Sequence, residues 1–180
     1  MDKSMNIGGP PAHVDHVIVR YSNKASGGSA INEVLKVGYA VCADIWNTVS
    51  KPAVPSAPST FTQSGLGIAV TKPETANLTM FCGVIDKILP LDGGDPRNCS
   101  TECDLVINTR GFPVDAWTNA NMTKGSTYLG CTNGSWALSA LTSIAAISNI
   151  RQIVGRALET VDTSGTAAIA KVCLEQSWVP

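Results

Sequence analysis

Close to its C-terminus the chain carries two apolar runs, 153–158 and 167–174, separated by a polar tract containing Asp162, Thr163, Ser164 and Gly165. In the second run Ala168, Ala170, Val172 and Leu174 share one parity, and Ile169, Lys171 and Cys173 share the other. A period of two places successive side chains on opposite faces of a pleated strand, so this run reads as half-buried β structure. Gly155 in the first run leaves room for a neighbouring backbone or a bulge. The intervening short polar side chains bond nearby backbone and Gly165 tolerates positive φ, so the segment is expected to be a β-hairpin, two strands joined by a tight loop.

The same punctuation recurs upstream. Short β-prone runs are expected at 16–21, 37–43, 67–71, 78–88, 103–109, 126–131 and 136–138, with turn signals in 91–96 and in the Asn-Gly of 132–135. Only 138–153 has a spacing that allows one short helix, and its isoleucines weaken that reading. Many short strands separated by turns point to a mainly β fold, a compact barrel or sandwich. Gly67-Ile68-Ala69-Val70 with Thr75 echoes Gly155-Arg156-Ala157-Leu158 with Thr163 at equal spacing, and each is followed by an apolar run containing a cysteine. The echo is either chance among β-rich segments or a duplicated unit forming two equivalent corners of one barrel.

Gly8-Gly9-Pro10-Pro11 cannot enter a helix or a central strand, so residues 1–15 are expected to be an extended N-terminal arm. Residues 16–180 then form a single β domain, with a Pro-rich loop at 50–59. Hydrophobic residues make up 44% of the chain and charged residues 15%, which suits a packed domain and leaves a weakly repulsive surface. With 13 basic and 14 acidic side chains the net charge is −1, and no basic patch marks a nucleic-acid partner. No apolar run reaches the ~20 residues of a membrane helix.

Catalytic signals are sparse. The two histidines, His13 and His16, fall in or beside the arm, where a scaffold to orient a nucleophilic triad or a metal is not expected. Cys99 and Cys103 have metal-like spacing without a second ligand pair nearby. Gly65-Leu66-Gly67 and Lys124-Gly125-Ser126 match neither a dinucleotide fingerprint nor a phosphate loop. No enzyme activity, cofactor or metal is therefore expected. The first residues lack the apolar segment of a secretory signal, which implies a reducing cytoplasm, free thiols, and unmodified sequons at Asn77, Asn98, Asn121 and Asn133. The tryptophans Trp46, Trp117, Trp136 and Trp178 lie in or beside polar segments, either capping the core or anchoring an interface.

The stretch Val154-Gly155-Arg156-Ala157-Leu158-Glu159, a polar loop, and Ile169-Ala170-Lys171-Val172-Cys173-Leu174 resemble the ending of small bacteriophage capsid decoration, or cement, proteins. Val37-Gly38-Tyr39-Ala40-Val41 is similar to an early strand of that family, and Gly67-Ile68-Ala69-Val70 with Met80-Phe81-Cys82-Gly83-Val84 resembles its central strands. The arm, the loop at 50–59 and the cysteine-bearing segment 92–103 are extra to the pattern. The resemblance implies a homotrimer on the outer capsid surface of a virion that bridges major capsid subunits, with neither nucleic acid nor membrane as a direct partner. Ile7, Pro10, Pro11, His13, Val14, His16, Trp46, Trp117 and Trp178 are the residues expected at the capsid or trimer interface. The competing expectation is a carbohydrate-binding β domain that uses the loop tryptophans as stacking platforms.

Overall fold

The computed structural model describes residues 14–23, 25, 29–44, 69–89, 103–119, 121–141, 153–162 and 166–175. Within them the chain forms nine strands: β1 (Val14–Tyr21), β2 (Ala40–Ala43), β3 (Ala69–Thr71), β4 (Phe81–Leu89), β5 (Cys103–Thr118), β6 (Tyr128–Gly130), β7 (Ser139–Ala140), β8 (Gly155–Ala157) and β9 (Ala168–Leu174). The mainly β expectation is met. Val14 and Asp15 are the first residues of β1, paired with Gly111 and Arg110, so the strand begins two residues before its expected start at 16 and takes in the last two residues of the expected arm. The 50–59 loop and most of 138–153 lie outside the described residues; of the latter, 138–141 and 153 are described, with β7 at Ser139–Ala140.

The pairings close two rings that share β5. In the first, β1 runs parallel to β3, β3 antiparallel to β2, β2 to β4, β4 to β5, and β5 back to β1. In the second, the later half of β5 pairs with β9, β9 with β8, β8 with β6 and β6 with β7, all antiparallel. A parallel bridge from Leu138, just before β7, to Thr118 completes it.

The rings share their register as well as their topology. Tyr21 faces Val70 and Cys103 in the first ring; Thr118 faces Leu138 and Ala168 in the second. Val41 pairs with Gly83, and Leu129 with Gly155; Val84 pairs with Asn108, and Arg156 with Cys173. Gly83 and Gly155 are glycines for one reason, since a Cβ on either would collide with the carbonyl oxygen of its neighbour, Asn108 or Cys173. Before β2 and β6, respectively, Gly38 and Gly125 take positive φ of 88° and 74° and donate to the carbonyls of Ile85 and Ala157, which are again equivalent positions.

The echo between Gly67–Val70 and Gly155–Leu158, open in the sequence between chance and a duplicated unit, is not the repeat that the strand pairings show. Gly155 of β8 corresponds to Gly83 of β4, not to Gly67, and the units are two barrels rather than two corners of one. Near the C-terminus β8 and β9 pair antiparallel and alternate as expected, with Ala170, Val172 and Leu174 buried and Ile169 and Lys171 exposed, but ten residues separate the two strands, so the connection is not the expected tight loop. Asn133-Gly134 does form a turn with Gly134 at φ 70°, but eight residues separate β6 from β7, so it is not a two-residue hairpin loop.

Candidate functional site

Each barrel is completed by side chains from the other. The first core contains Val19, Tyr21, Leu35, Val41, Ile85, Ile88, Leu105 and Ile107, together with Trp136 from the loop between β6 and β7. The second contains Val114, Ala116, Leu129, Leu138, Ala157, Ala170, Val172 and Leu174, together with Ala40, Cys42, Phe81 and Val84. These four alternate along β2 and β4 with first-core residues and therefore face outward from the first barrel.

The seam is built at Gly38–Tyr39–Ala40. Trp117 donates its backbone N–H to the Gly38 carbonyl at 2.8 Å, Ala40 donates to Trp136 at 2.8 Å, and Leu138 donates to Trp117 at 2.8 Å. A Cβ at Gly38 would lie 2.9 Å from the Trp117 ring, so close approach adds to positive φ in requiring glycine there. Tyr39 stacks on Trp136 with centroids 5.3 Å apart and planes 8° apart, and meets Trp117 edge-on at 6.0 Å. Lys72 and Lys36 lie 5.5 and 5.3 Å from the Trp136 and Trp117 ring centroids, within cation–π range.

Glu33 ties this cluster together. Its carboxylate accepts from Lys72 at 2.6 Å and from the Trp136 indole N–H. Burial acts to raise the carboxyl, but those two hydrogen bonds and the Lys72 charge outweigh it and hold the group below its ordinary value. Burial, reinforced by the Glu33 charge, pushes the Tyr21 and Tyr39 phenols up. With its proton retained, Tyr21 donates to the Asn23 side chain at 3.3 Å.

On another part of the surface, an open groove of about 530 Å³ runs along the point where β5 leaves the first barrel for the second. Asp15, Arg110, Phe112 and Glu175 line it, with Phe112 44% exposed beside the cis Phe112–Pro113 bond. Arg156 meets Glu175 at 2.7 Å and covers the Tyr128 ring at 4.7 Å. Asp15, the second residue of β1, brings the start of that strand to the groove.

Of the residues expected at an interface, Ile7, Pro10, Pro11, His13, Trp46 and Trp178 lie outside the described residues. Val14 is half-buried against the second core, and His16 is exposed, 3.8 Å from Asp86. Trp117 belongs to the inter-barrel cluster, donating its indole N–H to the Val37 carbonyl at 3.0 Å. Sequence reasoning left Trp136 undecided between core and interface and missed Glu33, Tyr39 and the Arg110–Phe112 groove. A tryptophan in a Gly/Ser-rich loop was the one available sign that the loop is packed.

The free-thiol expectation is corrected for Cys103, which is disulfide-bonded to a partner outside the described residues. The compartment rule behind that expectation says nothing about how the start of a strand positions a sulfur. Cys42, Cys82, Cys131 and Cys173 are free thiols. Asn77 is fully buried, its amide donating to the Ala43 and Lys72 carbonyls and accepting from Glu74, so this sequon serves the fold. Among the described residues no cluster of three His, Cys, Asp or Glu side chains is arranged to hold a metal, and no helix is long and apolar enough to cross a membrane. No family model, curated protein or solved structure matches the chain.

Proposed function

We propose that this protein is a structural component of a virion that decorates the outer capsid surface and reinforces contacts between major capsid subunits, acting as a homotrimer. The observation that carries the reading is the reciprocal exchange between the barrels: Trp136 enters the first core, and Phe81 and Val84 enter the second. Separating the barrels exposes both sets of apolar side chains, and this suits a part whose work is to resist being pulled open. The resemblance of the closing strands to capsid decoration proteins supplies the shell as partner. Many copies that each bridge neighbouring shell subunits gain by multivalency, because adjacent subunits cannot separate without breaking several contacts together.

The arm is assigned to attachment. An extended segment can lie across a neighbouring subunit or add a strand to an exposed sheet edge. Since Val14 and Asp15 belong to β1, the informative truncation removes residues 1–13 and no more. The full chain is expected to co-sediment with empty phage shells and raise their resistance to heat. The truncated chain is expected to keep its circular dichroism and sedimentation as a trimer while losing most of the shell-bound fraction. A full chain that leaves shells unprotected would overturn the reading, and undiminished attachment of the truncated chain would overturn the role of the arm.

The carbohydrate-binding alternative needs open aromatic faces. The Trp136 ring is buried against Tyr39, and Trp117 is engaged by Tyr39, Lys36 and Val37, so these two indoles serve the fold. A sugar-induced change in tryptophan fluorescence would restore that alternative.

A further inference from the structure

We propose that Cys42 and Cys131 form an oxidisable pair whose disulfide locks the two barrels together. Cys42 lies on β2 with its side chain turned into the second core, and Cys131 directly follows β6 of the second barrel. Their sulfurs are 3.8 Å apart, in contact while both are free thiols. A disulfide has an S–S length of about 2.05 Å, so small side-chain rotations must bring the sulfurs together by somewhat less than 2 Å. The bond would join residues 89 positions apart, at the place where the barrels exchange core side chains.

The pair divides the chemistry by exposure. Cys42 is fully buried, while Cys131 is half-buried and approachable from solvent. The contact with Cys131, together with burial, holds the Cys42 thiol well above its ordinary value, so Cys131 is the sulfur that meets an oxidant first. With a small-molecule disulfide as oxidant, the Cys131 thiolate attacks one of its sulfurs, forming a mixed disulfide and releasing the first small thiolate. Cys42 then gives up its proton, its sulfur attacks the Cys131 sulfur, and the second small thiolate leaves. Two S–H bonds are lost and one S–S bond is formed in the protein; the oxidant accepts two electrons and two protons and becomes two thiols.

Cys82 is the less suited partner: it packs in the first core and donates to the Met80 carbonyl at 3.5 Å, and burial, with the nearby Cys131 adding to it, pushes its thiol up to about 12. Cys173 lies on β9, against the groove at the β5 crossover.

The inference stands apart from the capsid reading, because its test uses the purified full chain alone. The folded protein is exposed to glutathione disulfide, its remaining thiols are blocked, and it is digested without reduction. The expected result is a cross-linked peptide pair containing Cys42 and Cys131. A rise in the thermal midpoint of about 5–10 °C should accompany it, since closing a long loop restricts the unfolded chain. Cys131→Ser should abolish both effects, and Cys173→Ser should leave both intact. The proposal is overturned if Cys42 and Cys131 are both recovered blocked after prolonged oxidation, or if reaction stops at a glutathione adduct on Cys131. A cross-link through Cys82 in place of either would overturn it equally.

Discussion

The two barrels have the same strand order and register but are filled differently. At equivalent places the first carries Val19, Tyr21, Ile85 and Leu105, whereas the second carries Ala116, Thr118, Ala157 and Ala170. The first barrel is thus largely stocked from its own strands. The second lacks volume, and Phe81, Val84, Ala40 and Cys42 from the outer face of the first barrel join its core. Protein interiors pack near crystal density, so small side chains in a ring require something else to enter or approach. A shared topology therefore does not make two independent units: the second barrel depends on the first more than the reverse.

The outward faces differ in the same sense. Val84 in the first barrel corresponds to Arg156 in the second. Val84 is buried between the barrels, whereas Arg156 is exposed, lies over Tyr128 and pairs with Glu175. One copy of the face became an internal joint, and the other was capped with charge. That substitution opposes the stacking of a further barrel at the same place.

The sharpest way to break the comparison is to remove the side chains that are exchanged. Trp136→Ala should cost about 3–5 kcal/mol, as expected for a large core aromatic, and should loosen the first barrel although the residue belongs to the β6–β7 loop. Phe81→Ala should cost a similar ~3–4 kcal/mol, and amide exchange should accelerate chiefly in β6, β8 and β9, across the seam from the mutation. Chemical denaturation with residue-resolved hydrogen exchange reads both. Loosening confined to β2 and β4 in the Phe81 variant would show that the second core does not depend on it.

Next come the paired glycines. Gly83→Ala and Gly155→Ala both drive a methyl group into a carbonyl oxygen, so each should cost about 2–4 kcal/mol, with the strand pairing of its own barrel affected most. Comparable costs in thermal unfolding would support the register match; a harmless change at either position would deny it.

The smallest expected effect is on the clasp beneath Trp136. The Glu33 carboxyl titrates below its ordinary value in the folded chain, so its contribution is present above the unfolded value of about 4.3 and is lost as pH falls through the lower folded value. Because this side chain is 45% exposed, solvent screening holds the expected cost of Glu33→Gln to roughly 0.5 kcal/mol near neutrality. Unfolding measured from pH 7 to pH 3 should show the wild-type advantage shrinking below about pH 4. An advantage that grows on acidification would contradict the ion pair.

Alternation at Ala168 to Leu174 specified a strand and its buried face, because a period of two is a local property of the chain. Gly155 was legible as a site of close approach, yet its true counterpart, Gly83, was not. The registers that relate these glycines are set by pairing partners far apart in sequence, and Gly67-Ile68-Ala69-Val70 offered a better match in letters. Trp117 read as a possible anchor for a partner because its neighbours are polar; in the fold its ring is occupied by Tyr39 and Lys36. Side-chain type announces that a tryptophan needs cover, and only the path of β5 shows that the cover is internal.

By itself, then, the sequence determined that the chain would be built from short, turn-bounded strands with alternating faces, since hydrophobic periodicity and turn chemistry act over a few residues. The tertiary structure decided that the strands close two register-matched rings on one shared strand, that Trp136 and Phe81 cross between them, and that Cys42 meets Cys131. These depend on contacts between residues scores of positions apart, which no local pattern encodes.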